Sequence, residues 1–346
     1  MSSKIKARAT SPASFDHELA ELEALSERFK QSFSLEPEQI EHLRTALAHR
    51  NNFIVSKAAR LVGEAELAAL LPELLVAYGR FFHEPVKADP KCWAKEALAK
   101  ALLKLEHREK DTYIRGLRHI QMEPSFGPPA DSAGTLRATC AHALVDCPGL
   151  SDAELLALLL EALTDTDKSV RIEAARAIAN VGGISAPLIL RLRAQLGLVP
   201  PDGDTPEVLG AVYSALLSLD GTASIPLVSK ALEPGDDLAA EAAFALADMR
   251  TVEALAPLLA RFNAGVDPWF SGVLLSAIAL TRLPQACDFL LDLIARDTRE
   301  AASAIEAITR SSPSEELRIR VEQAIEQADS PRLREVYQEH LGPSSH

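Results

Sequence analysis

Eight times along this chain a small or aliphatic residue falls at the same place in an apolar periodicity of three and four: Leu61, Ala101, Ala143, Ala177, Ala215, Ala245, Ala277 and Ala307. Neighbouring members lie 30 to 42 residues apart. A period of that size, with two helices in each unit, means an α-solenoid, because one helix pair cannot bury its apolar face alone and must stack on the next. The pattern is clearest around Ala177, where Val170, Ala174, Ala177, Ile178 and Val181 share one helical face. Asp165 and Asp167 sit in the tight turn just before it. There a carboxylate oxygen accepts from backbone N–H groups that have no partner at a helix start. Pro-Leu recurs near the starts of the first helices, as Pro187-Leu188, Pro226-Leu227 and Pro257-Leu258, with Pro72 and Pro284 at comparable places. Proline is tolerated in a first turn, where its missing N–H would have no partner anyway.

The stretch Leu163–Gly182 resembles a HEAT repeat, whose second helix opens with Asp, then Val-Arg, then small residues, an aliphatic and Gly. Val170, Arg171, Ala174, Ala175, Ala177, Ile178, Val181 and Gly182 fit that pattern. The resemblance, to HEAT-like repeats of the bacterial type, runs over most of the chain. It implies an all-α, right-handed α-solenoid of about eight HEAT-like helix pairs, with the second helices lining a concave face. The expected order is a disordered start (1–13), a capping helix (14–35), the repeat array (36–311), then C-terminal capping helices and tail (312–346). Two connections are longer than the rest, Gln121–Thr135 and Leu198–Thr205. Longer connections are more often functional or mobile.

Composition suits this architecture. Hydrophobic residues make up 47% of the chain but aromatics only 5%, so packing rests on Ala and Leu in close helix contact. Net charge is −13, and residues 131–346 carry 17 Lys+Arg against 31 Asp+Glu. That balance argues against a generic nucleic-acid binder and keeps a protein in solution. The start MSSKIKARATSPASF lacks the apolar run of a secretory signal. No stretch approaches the ~18 uninterrupted apolar residues of a membrane span. No membrane and a cytoplasmic setting are therefore expected. The four cysteines form no CxxC pair and no zinc spacing, so buried, reduced thiols are expected.

A search for chemistry finds no GxGxxG, P-loop, GxSxG or HExxH motif. Helical-repeat deoxyhypusine hydroxylases repeat His-Glu at matching places. Here only His17-Glu18 and His83-Glu84 occur, at non-equivalent positions. Bilin-chromophore lyases also contain such repeats, and fold analogy alone links them to this chain. The expectation is no catalytic residue, no metal and no cofactor. Helical-repeat DNA glycosylases suggest one alternative, a nucleic-acid-binding or alkylated-base-processing protein using Lys87–Arg118. That region is rich in Lys and Arg, with Trp93 and Tyr113 available to stack on bases. Glu96, Glu106, Glu109 and Asp111 interleave with those cations, as on an ordinary solvated helix.

The residue before each anchor should point away from the helix–helix seam. In order these are Arg60, Lys100, His142, Arg176, Ser214, Phe244, Ser276 and Glu306. They would form a ridge, basic in its first half, to which Arg137 and Arg171 at their helix starts add. Alternatively Arg171 caps the acidic turn. Phe244 offers an apolar anchor on the ridge, and His142 a group that titrates near pH ~6.5. In the loop Gln121–Thr135, Phe126 either tucks into the groove between repeats or is held out for contact by the neighbouring prolines. The function expected is a non-enzymatic scaffold that binds a protein partner along the concave face, as an acidic peptide or phosphorylated segment. Arg60, Lys100, Phe126, Arg137, His142, Arg176 and Phe244 are the expected binding residues.

Overall fold

A helix pair repeated along a chain leaves a simple record: every anchor buried, every preceding residue outside. The computed structural model, which describes residues 12–198 and 204–341, carries that record. All eight anchors are buried. The eight residues before them are exposed or half-exposed. The chain divides into two compact units, 1–177 and 178–346.

In the first unit, α1 (Pro12–Ser32) buries Leu22 and Leu25. Of the segment expected to be disordered, residues 1–11 lie outside the described residues and 12 and 13 open α1. The pair α2 (Pro37–Leu47) and α3 (Asn52–Glu64) follows. Next come α4 (Leu71–Arg80), a single turn α5 (Pro85–Ala88) and α6 (Trp93–Lys104), then α7 (Lys110–Leu117) with α8 (Gly134–Ala143). After α9 (Asp152–Leu163), the division between units falls within α10 (Lys168–Val181). Within each pair the first helix packs on the second, and α3, α6 and α8 pack in succession. Alanine and glycine permit this closeness: a Cβ on Gly63 would lie 3.1 Å from the Ala101 Cα. The starts are capped as the sequence suggests. Asn51 Oδ1 accepts from the Phe53 and Ile54 N–H groups, and Ser151 with Glu154 forms a reciprocal capping box.

The second unit repeats the plan. Its pairs are α11 (Ser185–Leu196) with α12 (Pro206–Asp220), α13 (Ile225–Lys230) with α14 (Asp237–Asp248), and α15 (Val252–Asn263) with α16 (Pro268–Thr281). Then follow α17 (Pro284–Ala295) with α18 (Ala301–Arg310) and α19 (Glu315–Ala328) with α20 (Pro331–Leu341). Helices α12, α14, α16, α18 and α20 pack one on the next. The final two helices thus stack as a further pair of the same kind. Pro257 departs from expectation: it lies inside α15 rather than in its first turn. The span Pro206–Lys230 is long and apolar enough, by length and composition, to cross a membrane, although Glu207, Asp220 and Lys230 interrupt its apolar run. It is two helices, α12 and α13, parted at Gly221, whose positive φ of 54° ends the first. The connection Leu198–Thr205 falls mostly on residues 199–203, outside the described residues, as does the tail 342–346.

Candidate interaction site

A row of aspartates and cations inside the first unit supports the site. Three successive turns place an aspartate before the second helix and a cation six residues later: Asp89/Lys95, Asp131/Arg137 and Asp165/Arg171. Each cation also stands six residues before its buried anchor. Lys95 is fully buried and commits its three ammonium protons, to Asp89 Oδ2 (2.9 Å), Gln121 Oε1 (2.8 Å) and the Phe81 carbonyl (3.3 Å). Asp89, equally buried, also accepts from Asn52 Nδ2 (2.9 Å) and from the Ala94 and Lys95 N–H groups (2.8 and 3.0 Å). Such a pair is fixed in place, because losing either partner would strand a buried charge.

Arg137 corrects the sequence expectation. It is 4% exposed and lies inside the fold, off the surface ridge. Its guanidinium forks onto Asp165, with Nε to Oδ2 at 2.7 Å and Nη2 to Oδ1 at 2.8 Å. Nη1 donates to Asp131 Oδ2 (2.5 Å) and to the His119 carbonyl (3.0 Å). Burial pushes its pKa down, but the two carboxylates outweigh this and hold it above the ordinary arginine value. Arg171 takes the structural alternative, donating to the Asp165 and Thr166 carbonyls of the acidic turn at 2.7 and 3.0 Å. Asp167 caps α10 through the Ser169 N–H (2.8 Å).

On this base stands a feature that the all-α expectation did not contain. Gln121–Thr135 holds a hairpin of two short antiparallel strands, β1 (Met122–Glu123) and β2 (Ala130–Asp131), the only strands among the described residues. The stem is tied to the helices. Asp131 Oδ1 accepts from the Gln121 and Ala133 N–H groups at 2.8 and 3.0 Å. Glu123 Oε1 accepts from Gln121 Nε2 (2.6 Å), Ser132 Oγ (2.7 Å) and the Lys91 N–H (2.7 Å). Burial raises the pKa of both carboxyls, but these hydrogen bonds, with Arg137 beside Asp131, outweigh it and hold both below the usual range.

At the tip, Ser125 Oγ donates to the Pro128 carbonyl (2.6 Å) and accepts from the Gly127 N–H (3.1 Å), while Pro124, Pro128 and Pro129 fix their own φ angles. Phe126 is 116% exposed relative to an extended reference. It does not tuck into a groove. Met122 is half-exposed as well. Trp93 opens α6 two residues after Lys91, with the Lys91 Nζ 5.2 Å from its ring and the Phe53 ring 5.5 Å away.

The ridge residues of this unit, Arg60, Lys100, His142 and Arg176, are exposed as expected, yet their charge is largely cancelled. Lys100 pairs with Glu96 (2.7 Å) and Arg176 with Glu173 (2.5 Å) on their own helices. Arg60 has no ion pair among the described residues. Phe244, in the second unit, is partly exposed. Nor does Lys87–Arg118 form a continuous basic strip. Lys95 and Tyr113 are buried, Lys87 pairs with Glu84 and Arg108 with Glu106, Arg118 faces Glu161, and Lys110 donates to the Gly149 carbonyl. Among the described residues no cluster of three or more His, Cys, Asp or Glu side chains is placed to hold a metal ion.

No family model and no curated protein matches the chain. Solved structures similar to it include the complex of CpcE and CpcF of phycocyanin lyase from Nostoc sp. PCC7120, at 17% identity and a TM-score of 0.36, covering 85% of this chain and 95% of that one. An engineered protein is also similar, at 17% identity and a TM-score of 0.35, covering 98% and 93%. This chain is an all-helical repeat protein. The expectation that it is no enzyme is withdrawn, because one of these similar structures is a lyase. At such scores the likeness assigns no activity either.

Proposed function

We propose that this helical-repeat protein, of the HEAT-like kind, mediates interactions by inserting the Phe126 hairpin into an apolar pocket of a protein partner. One observation carries the reading: a fully exposed phenylalanine stands at the end of a hairpin whose stem is bonded to buried Gln121 and Arg137. An unheld loop would lose rotational freedom on binding, whereas this one is ordered beforehand, so less of the contact energy is cancelled. Burying a phenylalanine contributes ~1.5–3 kcal/mol, and aromatic anchors in closed pockets dominate many interfaces. Met122, exposed on the same hairpin, extends the apolar contact. Four unpaired cysteines suit a reducing, cytoplasmic setting.

The test is affinity capture from cells of the protein's own source, comparing the natural chain with Phe126→Ala and Met122→Ala. The captured partner should bind the Phe126 variant about thirtyfold more weakly, a hot-spot loss of ~2 kcal/mol, with the melting temperature unchanged. Capture by Phe126→Ala equal to that by the natural chain would overturn the proposal.

A further inference from the structure

Large apolar side chains gathered on one exposed helix face mark an interaction surface, and α11 carries such a face beside its arginines. Its inner face buries Ala186, Leu190 and Ala194. Its outer face carries Leu188, Leu192 and Leu196, one turn apart, with Ile184 a turn before them, each more than half exposed. Beside this stripe lies a groove of about 550 Å³ between α11 and α13, within the size range of binding clefts. Apolar side chains such as Ala194, Leu227 and Leu238 line it, with the Tyr213 ring among them.

Charge selects the occupant. Residues 178–346 carry 23 Asp+Glu against 13 Lys+Arg, yet no Asp or Glu occurs from 174 to 201 and none lines the groove. Its charged residues are Arg191 and Lys230. Arg191 is braced by Asp220 and Ser224 Oγ. Lys230 is exposed and has no ion pair among the described residues.

We infer that this face docks an acidic amphipathic helix of a partner protein, with apolar residues at i, i+3 or i+4 and i+7 on the α11 stripe and groove and carboxylates toward Lys230. The acidic surface of the rest of the unit repels such a segment, so this groove, which no carboxylate lines, is where it can settle. The inference concerns a different unit from the Phe126 hairpin and stands without it.

The test pans a phage library of randomised helical peptides on the full chain. The counter-selection target is the double variant Leu188→Gln, Leu192→Gln, whose helix content and melting are first matched to the natural chain. Enriched sequences should carry the spaced apolar residues and net negative charge. A synthetic peptide of the most enriched sequence should bind the double variant at least about tenfold more weakly. Lys230→Glu should weaken it about two- to fivefold, and a peptide with Lys in place of its facing Glu should regain the loss. Neutral or basic enriched sequences, or equal binding by the double variant, overturn the inference. So does a natural chain that sediments as a dimer and becomes monomeric in the double variant, which makes the stripe a contact between copies. Stripe-dependent binding to anionic vesicles without any peptide enrichment overturns it as well.

Discussion

Lys95 has three protons to give and has given all three inside the fold, to Asp89, Gln121 and Phe81. Lys95→Ala would leave Asp89 buried without its counter-charge, a change that costs ~3–5 kcal/mol in comparable pairs. A matching drop in the urea midpoint of the first unit's transition is expected. Asp131 and Glu123 act through pH. Their carboxyl pKa values are lower folded than unfolded, so their stabilisation is complete above the ordinary carboxylate range near pH ~4 and is lost as pH falls through and below it. The gap in melting temperature between the natural chain and Asp131→Asn should therefore be widest near neutrality and close in acid. Burial pushes the thiols of Cys92 and Cys140 up to about 12 and that of Cys147 up to about 11. Half-buried Cys287, raised less, should be the first alkylated at pH 8 by peptide mass spectrometry.

At the scale of elements, the helices were legible and the hairpin was not. The anchor from Leu61 to Ala307 recurs because each second helix must bury the same face, so one aligned position recovers the register. The hairpin's strands are two residues each, too short to show alternation. What holds them are bonds from residues distant in sequence, the Lys91 N–H and the Arg137 guanidinium among them. The six-residue spacing from Asp to Lys or Arg was visible in the sequence. Charge alone, however, cannot separate a cation aimed at solvent from one aimed inward, so the sequence does not reveal that Arg137 lies inside the fold. The α11 stripe was hidden because exposed and buried leucines share one periodicity. Packing within these elements is tight enough to test by one methyl group. A Cβ on Gly116 of α7 would overlap the Tyr78 hydroxyl and the Cys140 sulfur. Gly116→Ala should destabilise the first unit by ~1–3 kcal/mol in chemical denaturation, as overpacking does.

For the whole molecule, a repeat chain with few aromatics and a −13 charge places its conspicuous apolar groups outside the seam, on the hairpin tip and on α11. A hairpin contact of this kind is apolar, so capture of the partner should survive ~0.5 M salt, where screening removes most exposed charge attraction and a nucleic-acid complex would lose orders of magnitude in affinity. The most direct test places a photo-crosslinking amino acid at position 126, and separately at Val76, an exposed apolar position on α4. After irradiation in cells of the source, the account expects one discrete adduct of defined mass from position 126 and none from position 76. No adduct at 126, or the same diffuse products from both positions, would contradict the claim that the hairpin is the partner contact.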